Sequence, residues 1–107
     1  MKLSEYFNLS EFEYSSTAFI MHIDNTIPKD LLMNVVRLHD NILYPLRKAT
    51  GCPVVISSGY RCEKLNKIIG GVKNSQHNEA KAVDFTVKNQ SDLSVINWIR
   101  KNCDFDQ

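Results

Sequence analysis

The chain has 107 residues, 43% of them hydrophobic and 23% charged, with a formal net charge of +1 at pH 7. That length suits one domain around one core, residues 1–107, and leaves no room for a second. A charge so close to zero gives no electrostatic reason to expect nucleic acid or an anionic membrane surface as partner.

The opening residues, MKLSEYFNLSEFEYSS, carry Glu5, Glu11 and Glu13 where a secretory signal would be uncharged and apolar. No stretch approaches the roughly 18 apolar residues of a membrane span. Synthesis in the cytoplasm without a signal peptide is therefore expected, and no membrane span. Cys52, Cys62 and Cys103 are odd in number and form no Cys-x-x-Cys pair, so they are expected to be reduced, small hydrophobic side chains.

In chain order, Ser10 followed by Glu13 has the spacing of a capping box and predicts a short helix. Tyr6, Phe7, Phe12 and Tyr14 are expected to pin that segment to the core. The stretch from Thr26 to Gly51 predicts the principal helix, with Thr26 as cap, Pro28 in the first turn and Gly51 as terminator. Leu31, Leu32, Val35, Leu38, Ile42, Leu43 and Leu46 follow the three-and-four spacing of one buried face. Pro45 should bend or break its last turns.

CPVVISSGYR is β-branched and closes in Ser-Ser-Gly, as a strand ending in a turn does. EKLNKIIGG predicts a short helix stopped at Gly70 and Gly71. After a loop, Val83, Phe85 and Val87 alternate with Ala82, Asp84 and Thr86, the pattern of a strand with one buried face. SDLSVINWIRKNC predicts a final helix capped by Ser91, with Leu93, Ile96 and Ile99 on one side and Trp98 in the core. The sum is a small α+β domain, a small antiparallel sheet packed against helices. Two strands are marginal alone, so C-terminal strands are expected to be missing.

Chemistry concentrates in NSQHNEAKAVDF, residues 74–85. His77 and Asp84 carry the nitrogen and oxygen donors that zinc accepts at about 2.0–2.2 Å, and Ser75 and Gln76 beside them can hydrogen-bond a substrate. Seven residues of spacing alone leave two readings open, a metal pair or a surface histidine with an aspartate capping a loop.

The wider pattern is more specific. Ser58-Gly59-Tyr60-Arg61 followed by Leu65-Asn66, then Gly70-Gly71, Ser75-Gln76-His77 and Asp84, resembles the zinc D-Ala-D-Ala carboxypeptidase and L-Ala-D-Glu endopeptidase family. The opening LSEYFNLSEFEYSSTA, the IDNT-x-P and ILYPLR segments and the closing FDQ resemble its phage and gut-bacterial branch. The resemblance runs from Leu3 to Gln107 and implies a hedgehog/DD-peptidase-like fold, a Zn2+ cofactor and peptidoglycan stem peptides as substrate. It implies His77 and Asp84 as two of three zinc ligands. It implies Arg61 as the group that polarises the scissile carbonyl and steadies the oxyanion, with Ser58, Tyr60, Ser75 and Gln76 around the substrate. The implied reaction is attack on the amide carbonyl by water that the metal and a glutamate base activate.

Two departures stand out. Ala80 occupies a position where the family has glycine. The family's catalytic glutamate and third ligand, a histidine in a Trp-x-His context, follow the FDQ segment, and this sequence ends there. His39 is expected in the core or on a helix flank and His22 in a loop. Glu79 is too near His77 in sequence to act as base, and Glu63 is a surface helix residue.

Two functions follow. One is a zinc peptidase of endolysin or wall-remodelling type, acting at the cell wall after release or export, of which this chain is a C-terminally truncated part. The other is a non-catalytic relative that binds peptidoglycan or a partner. An exposed sheet edge also offers a route to a homodimer.

Overall fold

A computed structural model describes residues 1–73 and 75–103. Asn74 and the closing FDQ motif, both used in the sequence comparison, lie outside the described residues. The described elements are α1 (Leu9–Glu13), α2 (Ser16–Ile20), α3 (Leu32–Leu38), α4 (Tyr44–Thr50), β1 (Val54–Ser58), α5 (Glu63–Ile68), β2 (Asp84–Val87) and α6 (Asp92–Asn102). This is the expected α+β arrangement, with β1 and β2 forming a two-stranded antiparallel sheet among the described residues.

The principal helix forms as one irregular rod. A 3-10 turn at Lys29–Leu31 leads into α3, a wide π turn spans His39–Leu43, and α4 continues to Gly51, which closes the helix in the left-handed region at φ 65. The π turn explains how Pro45 is accommodated. Proline has no N–H for the carbonyl four residues back and its ring crowds that carbonyl. The wide turn relaxes the ladder just ahead of it, with the Tyr44 N–H bonded five residues back to His39. Thr26 does not cap this helix; its N–H and hydroxyl both turn to Asp24 Oδ1.

Val35, Leu43 and Leu46 are fully buried and meet Phe7, Phe12, Ile27, Val54 and Val87 in one core. The N-terminal segment is fastened across the rod by aromatic contacts. Tyr6 lies under the Arg47 guanidinium at 4.2 Å and beside Tyr44. Phe7 meets His39 edge-on at 5.4 Å. His39 is the core histidine the sequence leads one to expect, 5% exposed, with its ring nitrogens 2.8 Å from Asp40 Oδ1 and 2.9 Å from Ser4 Oγ.

Three further local expectations change. The capping box belongs to Asn8 and Glu11, because the Asn8 N–H donates to Glu11 Oε2 at 2.6 Å, while Glu13 is engaged by the Ile27 N–H at 2.7 Å. Tyr14 is exposed and pins nothing in the core. On α6 the buried side is Val95 with Trp98 and Ile99 packed behind it, whereas Leu93 and Ile96 face outward.

The sheet has one inward face, Val54, Ile56, Phe85 and Val87, and one outward face, Val55 and Thr86. Its register runs Val54↔Val87, Val55↔Thr86 and Ile56↔Phe85, then slips so that Ser58 faces Asp84. Ser57 is the extra residue of this bulge, and its hydroxyl donates to the Asp84 carbonyl at 3.1 Å. All three cysteines are free thiols, and burial pushes the Cys103 thiol up from its usual value. No helix among the described residues is long and apolar enough to cross a membrane.

The α6 assignment is directly measurable. Val95→Ala should cost about 2 kcal/mol of unfolding free energy in a urea titration, as loss of two buried methyl groups does. Leu93→Ala should stay within about 0.5 kcal/mol, and the reverse ranking would return Leu93 to the core.

Candidate metal centre

The site is built where two segments dock side by side. The first leaves β1 through Gly59, Tyr60 and Arg61; the second is the turn from Ser75 to Ala80. Gly59 passes directly beneath α1, so close that a Cβ there would lie 2.5 Å from the Phe12 carbonyl oxygen. The Tyr60 N–H then donates to that same carbonyl at 2.7 Å. On the other side the Arg61 N–H donates to the His77 carbonyl at 3.1 Å, and Asn78 Nδ2 donates to the Arg61 carbonyl at 2.8 Å.

The 75–80 turn is a 3-10 helix, Gln76–Glu79, and Ser75 caps it by accepting the His77 N–H on its hydroxyl. The turn ends at Ala80, whose backbone takes φ 56 in the left-handed region. Alanine does adopt the conformation for which glycine is the ordinary choice, and its methyl group is buried in the core at 2% exposure. The strain of about 1 kcal/mol is opposed by burial of a methyl worth about 0.8 kcal/mol.

His77 is directed by the segment it docks against. Its Nδ1 lies 2.7 Å from the Gly59 carbonyl oxygen. A carbonyl only accepts, so Nδ1 carries the proton and donates it. In the neutral ring, Nε2 then presents its lone pair to Asp84 Oδ2 at 3.5 Å. Two electron-pair donors facing at this distance are satisfied by a second ring proton or by a shared cation.

The spacing suits the cation. Two ligands each about 2.1 Å from a tetrahedral ion stand about 3.4 Å apart. A ligating histidine also ordinarily donates its other ring N–H to a carbonyl or carboxylate, as Nδ1 does here. The donor pair therefore fits two corners of a zinc-type site. Among the described residues no group of three His, Cys, Asp or Glu comes together to hold a metal. His22 is exposed in its loop and His39 is occupied in the core, so neither joins.

Arg61 is half-buried on the segment that docks against the His77 turn. Its Nη2 lies 3.4 Å from Ser75 Oγ, and its Nε is buried without a hydrogen-bond partner among the described residues. Ser75 thus touches both Arg61 and the His77 backbone. Ser58 is half-buried opposite Asp84, Gln76 is exposed, and Tyr60 is only 8% exposed and belongs to the core cluster. A cleft of about 560 Å³ opens alongside, lined by Tyr60, Asn66, Ser75 and Asn78 together with Lys67 and Lys73. Burial raises the Tyr60 hydroxyl above the usual tyrosine value, helped by Cys62, Asp30 and Asp24.

Sequence reasoning brought together His77, Asp84, Arg61 and Ser75, and these are adjacent. It missed Asn25 and Asn78, whose side chains hold the backbone on either side of Arg61. Asparagine in a loop carries no spacing signal that would have found them.

Two measurements follow from this geometry. Ala80→Gly should change the unfolding free energy by less than about 1 kcal/mol, whereas Ala80→Val, β-branched at positive φ and buried, should lose about 3 kcal/mol or more. For Tyr60 the sign is set by its raised value. The unfolded chain gives up this proton near pH 10 and the folded chain above it, so stability is full below about pH 10 and falls as pH rises further. Tyr60→Phe should therefore flatten the decline in melting temperature between about pH 9.5 and 11. An unchanged slope would show that the hydroxyl titrates as freely in the folded protein as in the unfolded chain.

A family model described as Peptidase M15 matches residues 5–107. No curated protein matches the chain, and no solved structure does. The match spans both docked segments and carries His77, Asp84 and Arg61 within it. On that coverage, the chain belongs to the peptidase M15 family.

Proposed function

We propose that this site is the metal centre of a zinc peptidase acting on peptidoglycan stem peptides, of the D-Ala-D-Ala carboxypeptidase or L-Ala-D-Glu endopeptidase type. The observation that carries the reading is the pairing of His77 Nε2 with Asp84 Oδ2 at 3.5 Å, with the opposite ring nitrogen tied to the Gly59 carbonyl. His77 Nε2 and Asp84 Oδ2 would hold the ion. Bound zinc supplies Lewis acidity toward a carbonyl and makes water a nucleophile at neutral pH.

The remaining chemistry falls to the chain's own groups. Arg61 places a guanidinium beside the ligand pair, where a permanent positive charge in a partly dry site stabilises negative charge growing on a carbonyl oxygen. Ser75 keeps that guanidinium near the His77 turn by meeting both. Ser58, opposite Asp84 in the sheet, and Gln76, exposed beside His77, face the approach of an extended peptide. Tyr60 lines the adjoining cleft. The cell wall as place of action and phage endolysis as setting go with this reading.

A second reading, a module that binds wall peptides without cutting them, is favoured by one observation: no third ligand joins His77 and Asp84 among the described residues. The two separate cleanly. At saturating Zn2+ the purified chain should bind close to one equivalent by equilibrium dialysis, and His77→Ala should bind less than about a tenth. Peptides ending in D-Ala-D-Ala, and peptides containing L-Ala-D-Glu, should be cleaved by the wild type and not by His77→Ala. Arg61→Ala should lower kcat by about a hundredfold or more. Peptide binding without cleavage would favour the module, and absence of both metal and peptide binding would sink both readings.

A further inference from the structure

Among the described residues the Arg61 side chain makes one weak hydrogen bond, 3.4 Å to Ser75 Oγ, and its buried Nε has no partner. With so little side-chain anchoring beyond Ser75, its placement depends on the backbone that carries it. The carbonyl before it, on Tyr60, accepts from Asn25 Nδ2 at 2.8 Å, and the N–H after it, on Cys62, donates to Asn25 Oδ1 at 2.8 Å. One carboxamide closes over Arg61 from both sides. The same Nδ2 also donates to the Glu13 carbonyl at 2.8 Å, joining the turn to the end of α1.

Asn25 is 7% exposed, so solvent does not compete for these bonds, and breaking one strands a polar group in the interior. The demand is two donors and one acceptor on one short side chain. Aspartate lacks the donors, alanine lacks everything, and glutamine carries the right groups one methylene too far out.

We infer that Asn25 is a positioning residue for Arg61: by fixing the Tyr60 carbonyl and the Cys62 N–H it holds the guanidinium beside Ser75 and the His77 turn. What this placement contributes to catalysis rests on the peptidase reading above; where the guanidinium sits does not.

The test uses the full chain, labelled with 15N, and the exchange of the Arg61 Nε–H with solvent. In Asn25→Ala that proton and the Cys62 amide should exchange at least about tenfold faster, while the Leu43 and Leu46 amides keep their wild-type protection, a local and not a global loosening. Where the alanine variant fails to fold, Asn25→Asp, which loses both donors but retains the acceptor for the Cys62 N–H, should speed the Arg61 Nε–H alone, with the Cys62 amide near its wild-type rate. A folded variant whose Arg61 Nε–H exchanges within about twofold of wild type would overturn the inference, as would a uniform loss of protection through the core. With a cleavable stem peptide, kcat should fall about a hundredfold while KM stays within about threefold, as for a displaced catalytic group. If the wild type cleaves nothing, the peptidase reading fails, and the exchange measurement still decides the role of Asn25.

Discussion

The hydrogen bond from His77 Nδ1 to the Gly59 carbonyl is the constraint on which the candidate centre depends. It selects the tautomer, aims Nε2 at Asp84, and joins the turn at residues 75–80 to the end of β1. It also requires the backbone at residue 59 to lie within reach of the imidazole. That backbone runs under α1 at a separation that excludes any side chain. A methyl group at this position would meet the Phe12 carbonyl and push the strand end away, and the imidazole would lose its acceptor. The five residues of α1 therefore set the direction of a ring more than sixty positions later in the chain.

An isolated helix of five residues has no stability of its own, so something must hold α1 in place. Glu11 closes its first turn, and Phe7 and Phe12 sink into the core. The rest of the hold comes from the irregular helix behind it. Because Pro45 interrupts the ordinary ladder, the rod widens at His39–Leu43. The widened turn carries His39, which reaches Ser4 and packs against Phe7. Tyr6, Tyr44 and Arg47 continue the contact along the next turn. A defect in one helix thus carries contacts that hold another, and the second helix holds the strand end that orients the histidine.

Much of this was legible in the residues themselves. Alternation around Asp84 gave β2, the serine at 91 gave the start of α6, and the apolar stripe gave the buried face of the principal helix at Val35, Leu43 and Leu46, though not at Leu38 and Ile42, which lie outside the core cluster. Misreadings arose where one local signal had two physical solutions. Ser10 with Glu13 and Asn8 with Glu11 have the same spacing, and the choice was made by the distant Ile27 N–H, which takes Glu13. Leu93, Ile96 and Ile99 share a face, and so do Val95, Trp98 and Ile99; the lie of α6 against β2 selects the second set. In the site, His77, Asp84 and Arg61 were legible as candidates because the family resemblance ties them to short motifs. Asn25 was not, since its partners lie 12, 35 and 37 residues away and only the folded chain brings them together.

The burial of the two candidate ligands is unequal, and this bears on what the centre can hold. The His77 side chain is 12% exposed and rigidly oriented, whereas the Asp84 carboxylate is 65% exposed at the mouth of the sheet. A cation entering here meets one neutral donor already fixed in place and one charged donor free to adjust to it. Ordering the carboxylate costs side-chain entropy, but its charge offsets the desolvation of the ion. Arg61 acts in the opposite sense, because its guanidinium repels a dication and attracts a developing oxyanion. In the proposed site a dication would be drawn by the Asp84 carboxylate and opposed by the Arg61 guanidinium, whereas an oxygen gaining negative charge would be favoured by the guanidinium and opposed by the carboxylate. The histidine's part in that balance rests on the α1–Gly59–His77 contacts, which fix its ring.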